Sequence, residues 1–331
     1  MIGIGIISRW HVHAGGYVQQ FKNIDGVKVV SVWDEDAAKG KEFADKFDIP
    51  FEADLDKLLA NNEVHAVCIN APTSDHGRVI LKAINAGKHV FTEKVLALTL
   101  DECLKIKEAL ADKKVKFCIS YPHRGFSHNL FAKQLVDENL LGTITYLRIR
   151  NAHDGASRGW LPPHFYDKKA CGGGAMIDLG AHPMYLIGWL LGKPSEISSA
   201  FTHVTGKEVE DNAVSVMKYK SGAIAVYETG FVSGNSPYVL EMYGTEGSLI
   251  INGKDIKLIS AKSKNEGSTF GGWITPSVLP KPLPDPIDQF VDGVLHGKEI
   301  VYGIDDAVLL TEIMEAAYKS HESGEFVKVN S

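Results

Sequence analysis

Met1-Ile-Gly-Ile-Gly-Ile-Ile7 leads directly into the polar turn Ser8-Arg-Trp-His-Val-His13, and the chain then returns to an apolar run, Val27-Lys-Val-Val-Ser-Val-Trp33, that ends on Asp34. Two β-branched runs separated by a turn and a helix-length segment describe a βαβ start. The alternation continues. Ala66 to Ile69, His89 to Thr92 and Lys116 to Ser120 read as further strands, with helical patterns at Ala37 to Phe47, Leu55 to Ala60, Gly77 to Ala86 and Leu100 to Lys113. Strands separated by helices require right-handed crossovers and a parallel sheet, so residues 1–120 are expected to form a Rossmann-like α/β domain with its ligand at the carboxyl ends of the strands.

Past Tyr121 the pattern changes. One amphipathic helix, Asn129 to Glu138, precedes strand-like runs at Ile144 to Arg150, Ile197 to His203, Ala213 to Tyr219, Ala223 to Phe231 and Val239 to Gly244. Short glycine-containing turns, Ser221-Gly222 and Gly244-Thr-Glu-Gly247, link some of them and predict a mainly antiparallel sheet in an α+β domain over residues 121–331. Gly253 to Pro286, rich in Gly, Ser, Lys and Pro, reads as a surface loop, and helices at Pro286 to His296 and Asp305 to Ser323 close the chain.

Composition narrows the function. The 331 residues suit two domains, and 44% hydrophobic with 23% charged residues is ordinary for a soluble globular chain. Thirty-five Lys plus Arg against 41 Asp plus Glu gives a net charge of −6 without a basic run, which argues against nucleic-acid or anionic-membrane partners and for a small-molecule ligand. Cys68, Cys103, Cys118 and Cys171 form no Cys-x-x-Cys pair, so reduced structural thiols are expected. With no basic leader and no apolar run of about 18 residues, the expected location is the cytoplasm.

A dinucleotide turn needs glycines just after the first strand, and here Ser8, Trp10 and His13 occupy those places. Ser8 still offers a hydroxyl and an N–H to phosphate near a helix start. Asp34 stands where a carboxylate takes both ribose hydroxyls and repels a 2′-phosphate, favouring NAD, while Arg9 leaves NADP open; an ordinary turn residue is the other reading of Asp34. Pro72 in Asn70-Ala-Pro-Thr73 turns the chain across the sheet top, and His76 follows either in the crevice or on the surface. Glu93-Lys94 ends a buried strand, where Lys94 could hold a substrate hydroxyl and stabilise an alkoxide as hydride leaves; a simple surface turn is the alternative.

The run Gly172-Gly-Gly-Ala-Met-Ile-Asp178-Leu-Gly-Ala-His182-Pro-Met-Tyr185 is the strongest local signal. Asp178 and His182, four apart, are expected on one helix face with Tyr185, and Pro183 is expected to kink that helix. A histidine oriented by a carboxylate suits a general base near neutral pH. A buried hydrogen bond, or a metal site with His153, are the competing readings; no further ligands for a metal can be placed, so none is expected. Between strand and glycine run, His153, Asp154, Trp160, His164 and Tyr166 suit a polyol with an apolar face, as an alternative to a plain linker. Tyr121, His123 and Arg124 are further substrate candidates at the domain junction.

Together, Gly5-Ile-Ile-x-x-x-His11, Asp34, Ala71-Pro72-Thr73 with His76, Glu93-Lys94, Arg124 after Tyr121-Pro-His, and Gly-Gly-Gly-x-x-x-Asp178-x-x-x-His182 resemble the Gfo/Idh/MocA oxidoreductases, the glucose–fructose oxidoreductase and inositol dehydrogenase family. The resemblance implies a Rossmann domain that holds NAD through Ser8, Arg9, Trp10, His11, Asp34, Asn70, Ala71, Pro72, His76, Glu93 and Lys94. It also implies an open-faced sheet domain and hydride transfer at a hydroxyl of a sugar, cyclitol or glycoside. By it, Lys94 polarises the hydroxyl, His182 takes its proton, and Asp178 orients the site or contacts substrate. The open sheet face implies a homodimer or homotetramer. The chain departs from the family at Ser8-Arg9-Trp10, where Gly-x-Gly is usual, and at Val95, where Glu-Lys is usually followed by Pro. A redox-assisted NAD-dependent glycosidase and a non-catalytic NAD or sugar sensor are the alternative functions.

Overall fold

The computed structural model describes residues 1–262 and 272–329. The chain divides into two compact units, residues 1–121 with 284–311 and residues 122–283 with 312–331.

In the first unit β1 (Ile2–Ile7), β2 (Val27–Trp33), β3 (Ala66–Ile69), β4 (His89–Thr92) and β5 (Phe117–Ile119) form one parallel sheet in the order β2-β1-β3-β4-β5. β1 is buried along its whole length, as a strand covered on both faces must be. Helices Ala14–Lys22, Ala37–Phe47, Leu55–Ala60, Thr73–Asn85 and Leu100–Ala111 make the crossovers. Short polar side chains start three of them: Asp36 accepts from Lys39 N–H, Asp54 from Asp56 and Lys57 N–H, and Thr99 from Glu102 N–H. The strand order reverses between β1 and β3, which marks the crevice for a ligand.

Residues 284–311, assigned by sequence to the second domain, return to the first unit instead. Ile119 N–H donates to Tyr302 O at 3.2 Å, and the fully buried Phe290 packs against Phe91 with ring centroids 5.8 Å apart. Burial of Ile287, Phe290 and Val291 is the reason this segment belongs there.

The second unit is built on an eight-stranded sheet: β6 (Ile144–Ala152), β7 (Glu196–Thr202), β8 (Asn212–Lys218), β9 (Ile224–Gly230), β10 (Val239–Gly244), β11 (Gly247–Asn252), β12 (Asp255–Ser260) and β13 (Val327–Lys328), ordered β12-β11-β10-β6-β9-β8-β7-β13. All pairs are antiparallel except β6 with β9. Leu147, Ile149, Ala225, Tyr227, Leu240 and Met242 are buried, whereas Arg148, Arg150, Glu228 and Glu241 alternate with them on a face that keeps solvent access. Helices Ser127–Asp137 and Ala181–Leu191 belong to this unit.

Two sequence readings need correction. Gly253 to Pro286 is not a loop throughout, because Asp255–Ser260 forms β12, its alternating Ile256 and Leu258 buried against β11; residues 263–271 of that segment lie outside the described residues. The helix carrying His182 begins only at Ala181, so Asp178 precedes it and Pro183 falls in its first turn, where a missing N–H costs nothing and no kink is needed.

Candidate active site

The first unit supplies the cofactor side. At the end of β1, Ser8 adopts a left-handed backbone, φ 66°, a conformation that favours glycine. The turn is closed by its own polar atoms: Ser8 N–H donates to Trp33 O, Arg9 N–H to Asp34 Oδ2 at 2.8 Å, and Trp10 N–H to Ser8 Oγ at 3.0 Å. Asp34 is buried, and its other oxygen accepts Asp36 N–H at 2.8 Å, so the carboxylate is fixed at the carboxyl end of β2 with lone pairs to spare. A left-handed turn after β1, a helix N-terminus at Ala14 and a fixed carboxylate at the end of β2 fit a nicotinamide dinucleotide.

Asn70 is fully buried and its carbonyl accepts His11 N–H at 3.0 Å, tying the β3 exit, with Ala71 and Pro72 following, to the first turn. His76 is buried with Nδ1 2.7 Å from Val95 O and Nε2 3.0 Å from Ala71 O, so it holds two strand exits together. Burial lowers its pKa, and a neutral ring donates to only one of those carbonyls.

Glu93 and Lys94 leave β4 nearly inaccessible to solvent. Glu93 Oε1 lies 2.7 Å from His13 Nδ1 and 3.5 Å from His11 Nδ1, and it also accepts from Tyr17, whose hydroxyl is 2.9 Å from Ser120 Oγ. Its Oε2 accepts Lys94 N–H at 3.1 Å. Burial pushes the Glu93 carboxyl up, but the His11 and His13 charges, the His13 hydrogen bond and the Lys94 charge outweigh it and hold the group well below the usual carboxylate range. Burial and the Glu93 charge raise the Tyr17 hydroxyl well above its ordinary value. The peptide bond joining Lys94 to Val95 is cis. Tyr121, at the end of this part of the chain, is buried.

The second unit carries the other candidates. His182 Nδ1 lies 2.9 Å from Tyr185 Oη, which in turn accepts His123 N–H at 3.1 Å. The rings of His123 and His182 stack with centroids 4.1 Å apart. Sequence reading placed Asp178, His182 and Tyr185 on one polar stripe, and of these Tyr185 meets His182 one helical turn on. Arg124 is buried with its guanidinium over Trp189, 4.9 Å from the ring centroid. That contact makes Arg124 part of the packing of this unit.

The glycine run is held from a distance. Glu210 Oε1 accepts Gly174 N–H at 2.8 Å, Met176 N–H at 3.0 Å and the Tyr318 hydroxyl at 2.7 Å. A Cβ on Gly173 would come within 1.8 Å of Tyr318 Oη, and one on Gly174 within 2.0 Å of Glu210 O, so these positions exclude side chains. Neither Glu210 nor Tyr318 was legible as a site residue.

In the proposed substrate loop, His153 stacks on Phe231 and accepts Gly155 N–H at Nδ1, 3.1 Å. Burial lowers its pKa against the opposing charge of Asp178. Asp154 accepts the Trp160 indole N–H at 3.0 Å and pairs with Arg158, fixing the loop and leaving the Trp160 ring exposed. Leu161 and Phe165 anchor the segment in a small core with Ala175 and Phe231; Tyr166 packs at its edge, and His164 O accepts the Cys171 thiol. Among the described residues, metal-ligand atoms gather at His11, His13 and Glu93 and not at Asp178, His182 and His153.

The fold is thus a Rossmann-type parallel unit followed by a mainly antiparallel sheet. Residues 1–121 match the oxidoreductase family with an NAD-binding Rossmann fold, residues 130–250 match the GFO/IDH/MocA C-terminal domain, and the chain belongs to the Gfo/Idh/MocA family. It is 27% identical to the scyllo-inositol 2-dehydrogenase (NAD(+)) of Bacillus subtilis, covering 98% of this chain and 94% of that one. It is 28% identical to the 1,5-anhydro-D-fructose reductase of Ensifer adhaerens, over 68% of each chain. The solved structure of GenD2 from gentamicin A biosynthesis, in complex with NAD, superposes with a TM-score of 0.82 at 25% identity, covering 100% of this chain and 97% of that one.

Proposed function

We propose that this chain is an NAD-dependent dehydrogenase that transfers hydride between nicotinamide and a hydroxyl carbon of a sugar, cyclitol or glycoside. The observation that carries the reading is Lys94, a cation only 7% exposed, set at the carboxyl end of β4 beside the buried Glu93 carboxylate. A desolvated ammonium there stabilises a developing alkoxide more strongly than one in water. The nicotinamide, when bound, takes or returns the hydride. Lys94 binds and polarises the reacting hydroxyl, His182 accepts its proton, and Asp178 orients the site or contacts substrate. Tyr121, His123, Arg124 and the loop bearing His153, Asp154, Trp160, His164 and Tyr166 hold the carbohydrate. The fixed Asp34 carboxylate supports NAD over NADP.

The four buried cysteines, none in a disulfide, support a reducing compartment, which we take to be the cytoplasm, and no helix among the described residues is long and apolar enough to cross a membrane. The half-exposed sheet face bearing Arg148, Arg150, Glu228 and Glu241, with Val214 and Ile224 exposed, supports pairing of copies into a homodimer or homotetramer, which light scattering of the purified chain tests.

Thermal-shift titration of cofactor-free protein with NAD and NADP, followed by turnover on a polyol panel, tests the assignment. NAD should raise the melting temperature more than NADP, and Lys94→Ala should lower kcat roughly 10²- to 10⁴-fold with its NAD shift retained. Absence of a shift with either cofactor, or wild-type turnover by Lys94→Ala, overturns the reading.

A further inference from the structure

Two imidazoles and a carboxylate converge in the first unit. His13 Nδ1 and His11 Nδ1 lie 2.7 and 3.5 Å from the same oxygen, Glu93 Oε1, and the three atoms all fall within 4.8 Å of one another. We propose that His11, His13 and Glu93 form a binding site for a divalent transition cation of the zinc class. The proposal rests on this unit alone and stands apart from the dehydrogenase reading.

The distances suit such an ion. Bonds of about 2.0–2.1 Å in a tetrahedral zinc site place ligand atoms roughly 3.3 Å apart, close to the separations seen here. The remaining adjustment falls on His13, whose side chain is 54% exposed, while His11 and Glu93 are held inside at 7% and 2%.

Glu93 Oε1 faces both imidazoles, and a cation binds there by displacing the proton between His13 Nδ1 and the carboxylate and by replacing the long 3.3 Å contact of His13 N–H with His11 Nδ1.

The carboxylate also has the outer support that metal ligands require. Tyr17 donates to Oε1 and is itself linked to Ser120 Oγ at 2.9 Å, and Lys94 N–H fixes Oε2 at 3.1 Å. Such partners orient a ligand and tune its basicity. Two nitrogens and one oxygen without a thiolate favour Zn²⁺, Co²⁺ or Fe²⁺ over Ca²⁺ or Mg²⁺, and three protein ligands leave at least one coordination position open beside the exposed His13. The Lys94 ammonium is the competing positive charge at Glu93 and sets a limit on affinity.

The test uses the full chain, stripped by dialysis against a chelator and titrated with Co²⁺. The expected result is one Co²⁺ per chain with the visible d–d absorption of a four- or five-coordinate site, displaced by Zn²⁺. His13→Ala, a change at an exposed side chain verified as folded by circular dichroism, should weaken binding at least about tenfold. Asp178→Asn, in the second unit, should bind as wild type. No d–d absorption in the wild type, or equal binding by wild type and His13→Ala, overturns the site; loss of the signal in Asp178→Asn with retention in His13→Ala overturns it and places the cation at Asp178.

Discussion

Glu210→Ala should be among the most destabilising single changes in the second unit, and its cost can be worked from three contacts. Glu210 Oε1 alone accepts Gly174 N–H, Met176 N–H and the Tyr318 hydroxyl, at 2.8, 3.0 and 2.7 Å. Alanine leaves two backbone donors and a phenol without that acceptor at a site only 4% exposed. Each stranded donor costs about 1–3 kcal/mol, and local relaxation recovers part of the sum, so the expected loss is roughly 3–5 kcal/mol. Glutamine keeps an acceptor oxygen at the Oε1 position and loses only the charge, which accounts for about half the strength of such bonds, so Glu210→Gln should cost ~1–2 kcal/mol. Urea unfolding followed by circular dichroism reads the difference. With an m-value of about 3 kcal/mol/M, alanine moves the midpoint down by roughly 1–1.7 M and glutamine by roughly 0.3–0.7 M. Equal midpoints for the two variants, or an alanine shift below about 0.3 M, would refute the idea that this carboxylate holds the glycine run.

Phe290→Ala should destabilise the first unit by about 3–5 kcal/mol, since its ring is fully buried against Phe91; loss of the NAD-induced thermal shift before unfolding of the second unit checks that residues 284–311 belong to the cofactor unit. Thr99→Ala removes the oxygen that accepts Glu102 N–H and should cost about 1 kcal/mol by urea midpoint, whereas a neutral result would show the helix start to be satisfied by water. Tyr185→Phe should lower kcat roughly tenfold and displace the pH–rate profile, because it removes the hydroxyl 2.9 Å from His182 Nδ1; an unchanged profile would deny Tyr185 an orienting role. Glu228 is held below its ordinary value of 4.5 chiefly by its hydrogen bonds to Arg148, with Arg150 adding to them against burial. Its stabilising contribution is therefore full above pH 4.5 and is lost as pH falls through the depressed folded value. Glu228→Gln should flatten the acid limb of stability while costing on the order of 1 kcal/mol at neutral pH and low salt, as read by thermal melts across pH.

The first unit was legible because its information is local. Buried parallel strands read as unbroken β-branched runs, so β1, β2, β3 and β4 fall where Ile2–Ile7, Val27–Trp33, Ala66–Ile69 and His89–Thr92 place them. Helices Ala37–Phe47 and Leu55–Ala60 start after Asp36 and Asp54, whose capping oxygens are visible as residue types. What the sequence hid was the return of residues 284–311, because nothing in Pro286-Ile-Asp-Gln-Phe290 says which core receives an apolar helix face. β12 was hidden for a related reason: Asp255-Ile-Lys-Leu-Ile-Ser260 alternates correctly, but glycine and lysine on either side weight the window toward loop.

The site shows the same division between local and distant causes. Ser8 marks a turn in which a residue with a side chain takes the left-handed conformation usual for glycine, and its hydroxyl offsets part of the cost by accepting Trp10 N–H. That exchange can be read from Ser at a glycine position. The four-residue spacing of Asp178 and His182 does not by itself fix a shared face, because the regular helix begins only at Ala181. The chain's path before it follows from Glu210 and Tyr318, which lie 36 and 108 residues from Gly174 and Glu210 respectively in sequence and leave no periodic trace. His182 and Tyr185, by contrast, both lie within the helix and meet as a three-residue spacing predicts. A polar motif is thus readable as geometry to the extent that its secondary structure is locally determined, and Gly173 and Gly174 are required here because the Tyr318 phenol and the Glu210 main-chain carbonyl approach their backbone too closely for any Cβ.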